Sequence, residues 1–172
     1  ILSENLSAKE LNKIEGLGWI RVMYAYPTQM TDELLQTIND CEKVVKYVDI
    51  PLQHSHPEML KLMSRPSFDY RPMIENIRKL VPDVSIRTAF VVGYPGETEE
   101  HFEHLCKFVR DMKFDRMGVF TYSREKGTPS YSMKPQVPKR VAKQRWKKLM
   151  EIQQMVFVKK FVYIQKKCLT LV

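Results

Sequence analysis

The sequence predicts an α/β fold in which parallel strands alternate with helices packed over them, and three observations carry that reading. Stretches rich in β-formers begin near residues 19, 47, 84 and 116, and each but the last is followed by at least one helical stretch before the next strand. Within these stretches one parity is the more apolar, as expected where helices cover one face of a sheet. With 172 residues, 44% hydrophobic, 28% charged and only 6 glycines, the chain can bury a core and is neither disordered nor low-complexity. The rhythm suits an open sheet or part of a barrel, and four strands are too few to close a barrel.

The elements follow in order. Ser7-Ala8-Lys9-Glu10 reads as a capping box, with a short helix to Ile14 and a stop at Gly16. Residues 19–26 (WIRVMYAY) read as a strand ended by Pro27, and Thr31-Asp32-Glu33 starts a helix carrying Leu34, Leu35 and Ile38. Residues 47–52 (YVDIPL) form the next strand. Pro57 opens a short helix with Met59, Leu60 and Met63, and a longer one over residues 70–80 carries Met73, Ile74 and Ile77. Residues 84–92 (VSIRTAFVV) are the clearest strand; a Gly93-Tyr94-Pro95-Gly96 turn follows, and Thr98 caps a helix carrying Phe102, Leu105, Cys106 and Val109. Residues 116–122 read as the fourth strand. A loop with Pro129, Pro135 and Pro138 then leads to a last long helix with Ala142, Trp146, Leu149 and Met150 inward.

Charge and cysteine usage bound the partners. The net charge of +8 divides unevenly: residues 1–120 hold 15 Lys+Arg against 18 Asp+Glu, and residues 121–172 hold 13 against 2. The basic last third points to an acidic or RNA-rich partner, or is a solvated helix face. No apolar run approaches the roughly 18 residues of a membrane span and no secretory signal opens the chain, so no membrane partner is expected. Cys41, Cys106 and Cys168, at long unrelated spacings, fit a reducing, cytoplasmic setting and neither a disulfide framework nor a metal clip. A chain that starts at Ile1 with a helical pattern already under way by Ser7 is expected to be part of a longer protein.

Alternation places side chains on the two faces of the strands. Val84, Ile86, Phe90 and Val92 belong under helices, as do Val48, Ile50 and Leu52, and Ile20, Val22, Tyr24 and Tyr26. Arg21, Asp49 with Gln53, and Arg87 then point to the opposite face, where unpaired charge would be costly. Either a polar ligand cavity or a structural ion pair explains them, and Asp49 and Arg87, on consecutive strands, are expected to pair. In parallel α/β folds ligands sit at the C-terminal ends of strands, which directs attention to Gln53, the Gly93-Tyr94-Pro95-Gly96 turn, and Tyr122-Ser123. Two glycines there permit close approach of a ligand, although a plain tight turn reads as well. His54 and His56 share a loop, and His101 and His104 share a helix face; neither pair has a Cys or further carboxylate at ligand spacing, so no metal ligand is assigned.

Taken together, WIRVMYAYP, YVDIPLQH, LKLMSRP, IRTAFVVGYPGETEEHF and FDRMGVFTYSREKGTP resemble, in order and spacing, the second half of a radical SAM methylthiotransferase over about residues 7–155. Asp49-Ile50-Pro51-Leu52-Gln53-His54 and Ile86-Arg87-Thr88 resemble the RimO type, the ribosomal protein aspartate methylthiotransferases, more than the tRNA-modifying members. The resemblance implies a partial TIM-like barrel of six βα units, of which this chain would supply strands three to six over residues 1–158, with an unassigned tail at 159–172. It implies S-adenosylmethionine and a 4Fe–4S cluster held by a Cys-x3-Cys-x2-Cys loop, a 5′-deoxyadenosyl radical, an electron donor, and a small-subunit ribosomal protein as substrate. That cysteine loop is absent from the chain, so alone it is expected to be inactive and to hold neither cofactor stably. Catalytic residues stay unassigned. By the resemblance, Gly93, Tyr94, Pro95 and Gly96 pack beside the adenine, Gln53 lies near the ribose and methionine, and Tyr122 and Ser123 meet the adenine; inward-facing Arg87 is grouped with these cofactor-binding candidates. A tRNA adenosine methylthiotransferase, or a non-catalytic module docking on ribosome or RNA through the basic last helix, are the alternatives.

Overall fold

The computed structural model describes the backbone of residues 8–169 and the side chains of residues 8–160. Ser7 of the expected capping box and the Cys168 side chain lie outside the described residues. Helix α1 (residues 8–12) opens the described chain, and a three-stranded parallel sheet in the order β1-β2-β3 forms its centre. The elements are α2 (Asp32–Asp40), β1 (Tyr47–Gln53), α3 (Pro57–Leu62), α4 (Arg71–Leu80), β2 (Ser85–Val92), α5 (Glu99–Met112), β3 (Arg116–Thr121), the short α6 (Pro129–Ser132) and α7 (Lys139–Leu169).

Three of the four expected strands form. Residues 19–26 instead make one isolated parallel bridge, Ile20 with Val44, and the Ala25 N–H donates to the Asp49 carbonyl of β1 at 2.8 Å. Tyr24 adopts a left-handed backbone (φ 58°), which breaks the alternation a ladder requires. No described strand flanks the segment on its other side, and strand propensity is largely the packing that such neighbours supply. Tyr24, expected under helices, is therefore 72% exposed.

The central strand behaves as alternation requires. Ile86, Thr88, Phe90 and Val92 are buried and their neighbours are not, with Val48↔Ile86 and Phe90↔Val119 in register across the sheet. Over this face Phe90, Phe108 and Phe114 form an aromatic cluster with centroids 5.9–6.3 Å apart in edge-on or tilted contacts. Thr31 caps α2 by accepting from the Leu34 N–H (3.2 Å), so the buried Leu34, Leu35 and Ile38 face inward from the first turn. Helix α5 packs against α7, and α7 against β3, where the Trp146 indole N–H donates to the Val119 carbonyl at 2.9 Å. Trp146 is pinned by its tip and stays 39% exposed instead of turning fully inward. The helix runs without a break past residue 158 to Leu169.

Candidate functional site

The C-terminal end of β1 is irregular for a readable reason. Ile50 pairs with Thr88 but Gln53 with Phe90, so one extra residue sits in β1, beside Pro51, which has no N–H to give to a ladder. The bulge delivers Gln53 at the strand's end with φ 70°, a conformation costly for a residue with a Cβ. On the inner face the Arg87 Nη1 donates to both oxygens of Asp49 at 2.7 and 2.8 Å. Asp49 is fully buried while the Arg87 side chain is 32% exposed, so the expected ion pair forms and the guanidinium covers a carboxylate that would otherwise be desolvated alone. Arg21 stacks over the Tyr47 ring at 3.8 Å to its centroid.

The turn after β2 is held from within. Glu97 is buried; it accepts from the Gly93 N–H at 2.5 Å and from Arg145 Nη1 at 2.8 Å, and its other oxygen lies 3.4 Å from His54 Nε2. Arg145 also bonds the Glu97 carbonyl (3.0 Å) and Glu99 (3.2 Å), tying α7 to the turn. His54 Nδ1 accepts from the His56 N–H at 3.0 Å, so Nε2 carries the proton and donates toward Glu97. Burial lowers the His54 pKa against the opposing pull of Glu97; the contact is a hydrogen bond from a neutral imidazole rather than an ion pair. Glu97 and Arg145 were not singled out from the sequence. Glu97 stood in the turn itself, but its partner lies 48 residues away on another helix.

Gly93 (φ 78°) serves packing as well as turning. A Cβ placed there would stand 2.4 Å from the Ala142 Cβ of α7. The close approach that this glycine allows includes one to a helix, so α7 packs directly on the turn. Tyr94 reaches away to the Leu62 carbonyl (3.1 Å), and its ring meets Tyr122 edge-on at 5.1 Å. The Tyr122 hydroxyl is buried with no hydrogen-bond partner among the described residues. A cavity of about 750 Å³ opens at the end of β3, with Gly93, Tyr122, Ser123, Gln136 and Lys143 in its walls. Of the expected cofactor-binding residues, Gly93, Tyr122 and Ser123 line this cavity together; Gln53, Arg87, Tyr94, Pro95 and Gly96 do not line it.

The histidines converge in a way their spacing did not foretell. His56 and His101 rings stand 4.3 Å apart, His104 lies 5.1 Å from His56, and His101 Nε2 sits 3.1 Å from Glu58 Oε2. The carboxylate missing from either pair in sequence comes from α3. The basic last third is also partly answered within the chain: Arg145 meets Glu97 and Glu99, Lys148 meets Glu103, and Lys160 meets Asp115. Cys106 is buried on the α5 face against the core, and burial pushes its thiol up to about 11.

A family model of the radical SAM superfamily matches residues 4–109. The chain is 51% identical over 148 residues to a protein named ribosomal protein uS12 methylthiotransferase RimO from Carboxydothermus hydrogenoformans, covering 85% of this chain and 34% of that protein. It is 56% identical over 147 residues to the protein of that name from Thermoanaerobacter sp., covering 84% of this chain and 34% of the relative. The chain thus spans about a third of the length of these relatives. Among solved structures, the coproporphyrinogen III oxidase HemN of Escherichia coli aligns with a TM-score of 0.60 at 18% identity, over 83% of this chain and 32% of that one. The radical S-adenosylmethionine methyltransferase TsrM of Kitasatospora setae aligns at 0.59 and 15%, over 73% of this chain and 26% of its own. At these identities the structures speak to fold alone, and the fold is that of a partial TIM-like barrel.

Proposed function

The chain belongs to the radical SAM superfamily, and from that premise we propose that it forms the second half of the catalytic barrel, over residues 1–158, of a cytoplasmic uS12 methylthiotransferase. The observation that carries this reading is the likeness to proteins of that name along most of the chain, at an identity far above that shared with the solved superfamily structures. The substrate is an aspartate of a small-subunit ribosomal protein. Exposed lysines of α7, Lys139 and Lys143 among them, contact the ribosome or its RNA, and an electron donor serves the whole enzyme. Among the described residues no helix is long and apolar enough to cross a membrane.

S-Adenosylmethionine, together with a 4Fe–4S cluster, supplies radical chemistry to such an enzyme. This chain's part is to bind and orient the nucleotide. By the resemblance, Gln53 would hold the ribose and methionine part, Gly93-Tyr94-Pro95-Gly96 would pack beside the adenine, and Tyr122 and Ser123 would meet the adenine. The buried Tyr122 hydroxyl, without a partner among the described residues, fits such a polar ligand, because a buried hydroxyl without a partner is costly. Arg87 keeps the inner face neutral by covering Asp49. The thiols do not fit a cluster: cluster ligation needs several cysteines brought to one centre, and Cys41, Cys106 and Cys168 fall in separate parts of the chain.

The test uses a full-length enzyme carrying these residues, reconstituted anaerobically and given S-adenosylmethionine, a sulfur source and uS12. One aspartate should gain the mass of a methylthio group, and Tyr122→Phe should weaken nucleotide binding. Modification of tRNA with uS12 untouched would overturn the substrate assignment.

A further inference from the structure

The loop after β1 and the first turns of α3 and α5 bring two imidazoles and a carboxylate to one place. Candidate ligand atoms of His56, Glu58 and His101 all lie within 4.8 Å of one another. We propose that these three residues bind a divalent transition-metal cation such as zinc, with the remaining coordination position open to water and His104 beside it. The inference goes beyond the barrel assignment and does not depend on it.

Two imidazoles and one carboxylate form a set that suits zinc and leaves a position open. In a tetrahedral site with bonds of about 2.0–2.1 Å, neighbouring donors stand about 3.3–3.4 Å apart. His101 Nε2 and Glu58 Oε2, at 3.1 Å, are already near that separation, and the cation would take the place of the proton between them. The His56 and His101 rings, 4.3 Å apart, close the site by a small side-chain movement. Positioning and access are divided between the ligands: the His101 side chain is 10% exposed and fixed on α5, while that of Glu58 is 73% exposed and free to adjust. No thiol takes part, so the site is chemically distinct from any iron–sulfur centre.

Binding carries a local cost that limits affinity. His101 Nδ1 now accepts from the Thr98 N–H, and His56 Nδ1 from the Glu58 N–H, both at 3.3 Å. Coordination through His101 Nε2 moves that ring's proton to Nδ1 and gives up a long capping contact. Micromolar rather than tighter affinity is the expected consequence.

The test is a titration of the chelator-stripped chain with Zn²⁺, followed by heat, and with Co²⁺, followed by visible absorption. The expected result is one equivalent per chain, with Co²⁺ bands of nitrogen and oxygen ligation and no thiolate charge-transfer band. His101→Gln should weaken binding by about tenfold or more, equivalent to about 1.4 kcal/mol, and His56→Gln combined with it should abolish binding. Because His101 also caps α5, Glu58→Gln is the second variant, expected to weaken binding with the circular dichroism unchanged, while Cys41→Ser should bind as the parent does. Absence of saturable binding, binding that survives all three ligand variants, or a thiolate band would overturn the proposal and leave a His–Glu hydrogen bond as the whole role of the cluster.

Discussion

Asp49 is wholly buried on β1, and Arg87 answers it from β2 at hydrogen-bond distance. Removing the guanidinium leaves a desolvated carboxylate without a counter-charge, so Arg87→Met should destabilise the chain by about 2–4 kcal/mol, discounted for the partial exposure of Arg87. Asp49→Asn with Arg87→Met should recover part of that loss, and chemical denaturation of the single and double variants beside the parent measures it. His54 supplies a pH dependence. Its folded pKa lies below the ordinary 6.5 because burial opposes the charged form. Between the folded value and 6.5 the unfolded chain therefore binds more protons than the folded one, and acidification through and below about 6.5 favours unfolding. His56 and His104 are shifted the same way, chiefly by burial, and add to it. The melting temperature should fall as the pH is lowered from about 7.5 to 5.5, less steeply in His54→Gln; a flat profile would contradict the burial of these rings in neutral form.

At the scale of elements, α7 and the turn after β2 are built against each other. Gly93 presents no side chain where Ala142 arrives, and Arg145 reaches from the next turn of α7 to Glu97. Gly93→Ala meets both a left-handed backbone and a 2.4 Å approach, so a loss of about 2–5 kcal/mol is expected. Adding Ala142→Gly removes the Cβ–Cβ clash and leaves the backbone strain and the 3.3 Å approach to the Ala142 Cα, so a partial rescue in thermal unfolding is the outcome that fits. Most elements were legible in sequence because their signals are local: Thr31 and Thr98 at N-caps, Pro57 at a first turn, strict alternation in β2. The strand expected at residues 19–26 was not formed, since β-propensity without a flanking partner buys only a bridge.

For the molecule as a whole, residues 19–26 lie beside β1 with Trp19, Met23 and Tyr24 exposed at 62%, 48% and 72%. An apolar, half-paired edge invites pairing with another chain. The chain should therefore self-associate as concentration rises, which light scattering coupled to size-exclusion chromatography detects; a monodisperse monomer at high concentration would count against it. Anaerobic reconstitution with iron and sulfide provides a second check at this scale. Buried Cys106, with its thiol pushed up to about 11, and a lone half-buried Cys41 should leave no stoichiometric cluster by iron analysis or visible absorption.

The alternation of strands and helices, the inner placement of Asp49 and Arg87, and the resemblance carried by the strand-end segments were all determined by the sequence, because periodicity, caps and short motifs depend on neighbours along the chain. The tertiary structure alone decided that Glu97 joins His54 to Arg145, that Gly93 yields to Ala142, and that Glu58 of α3 meets His101 of α5. In the last two cases residues 49 and 43 positions apart are neighbours only because parallel strands return the chain to the same end of the sheet, and no local signal encodes which side chains meet there.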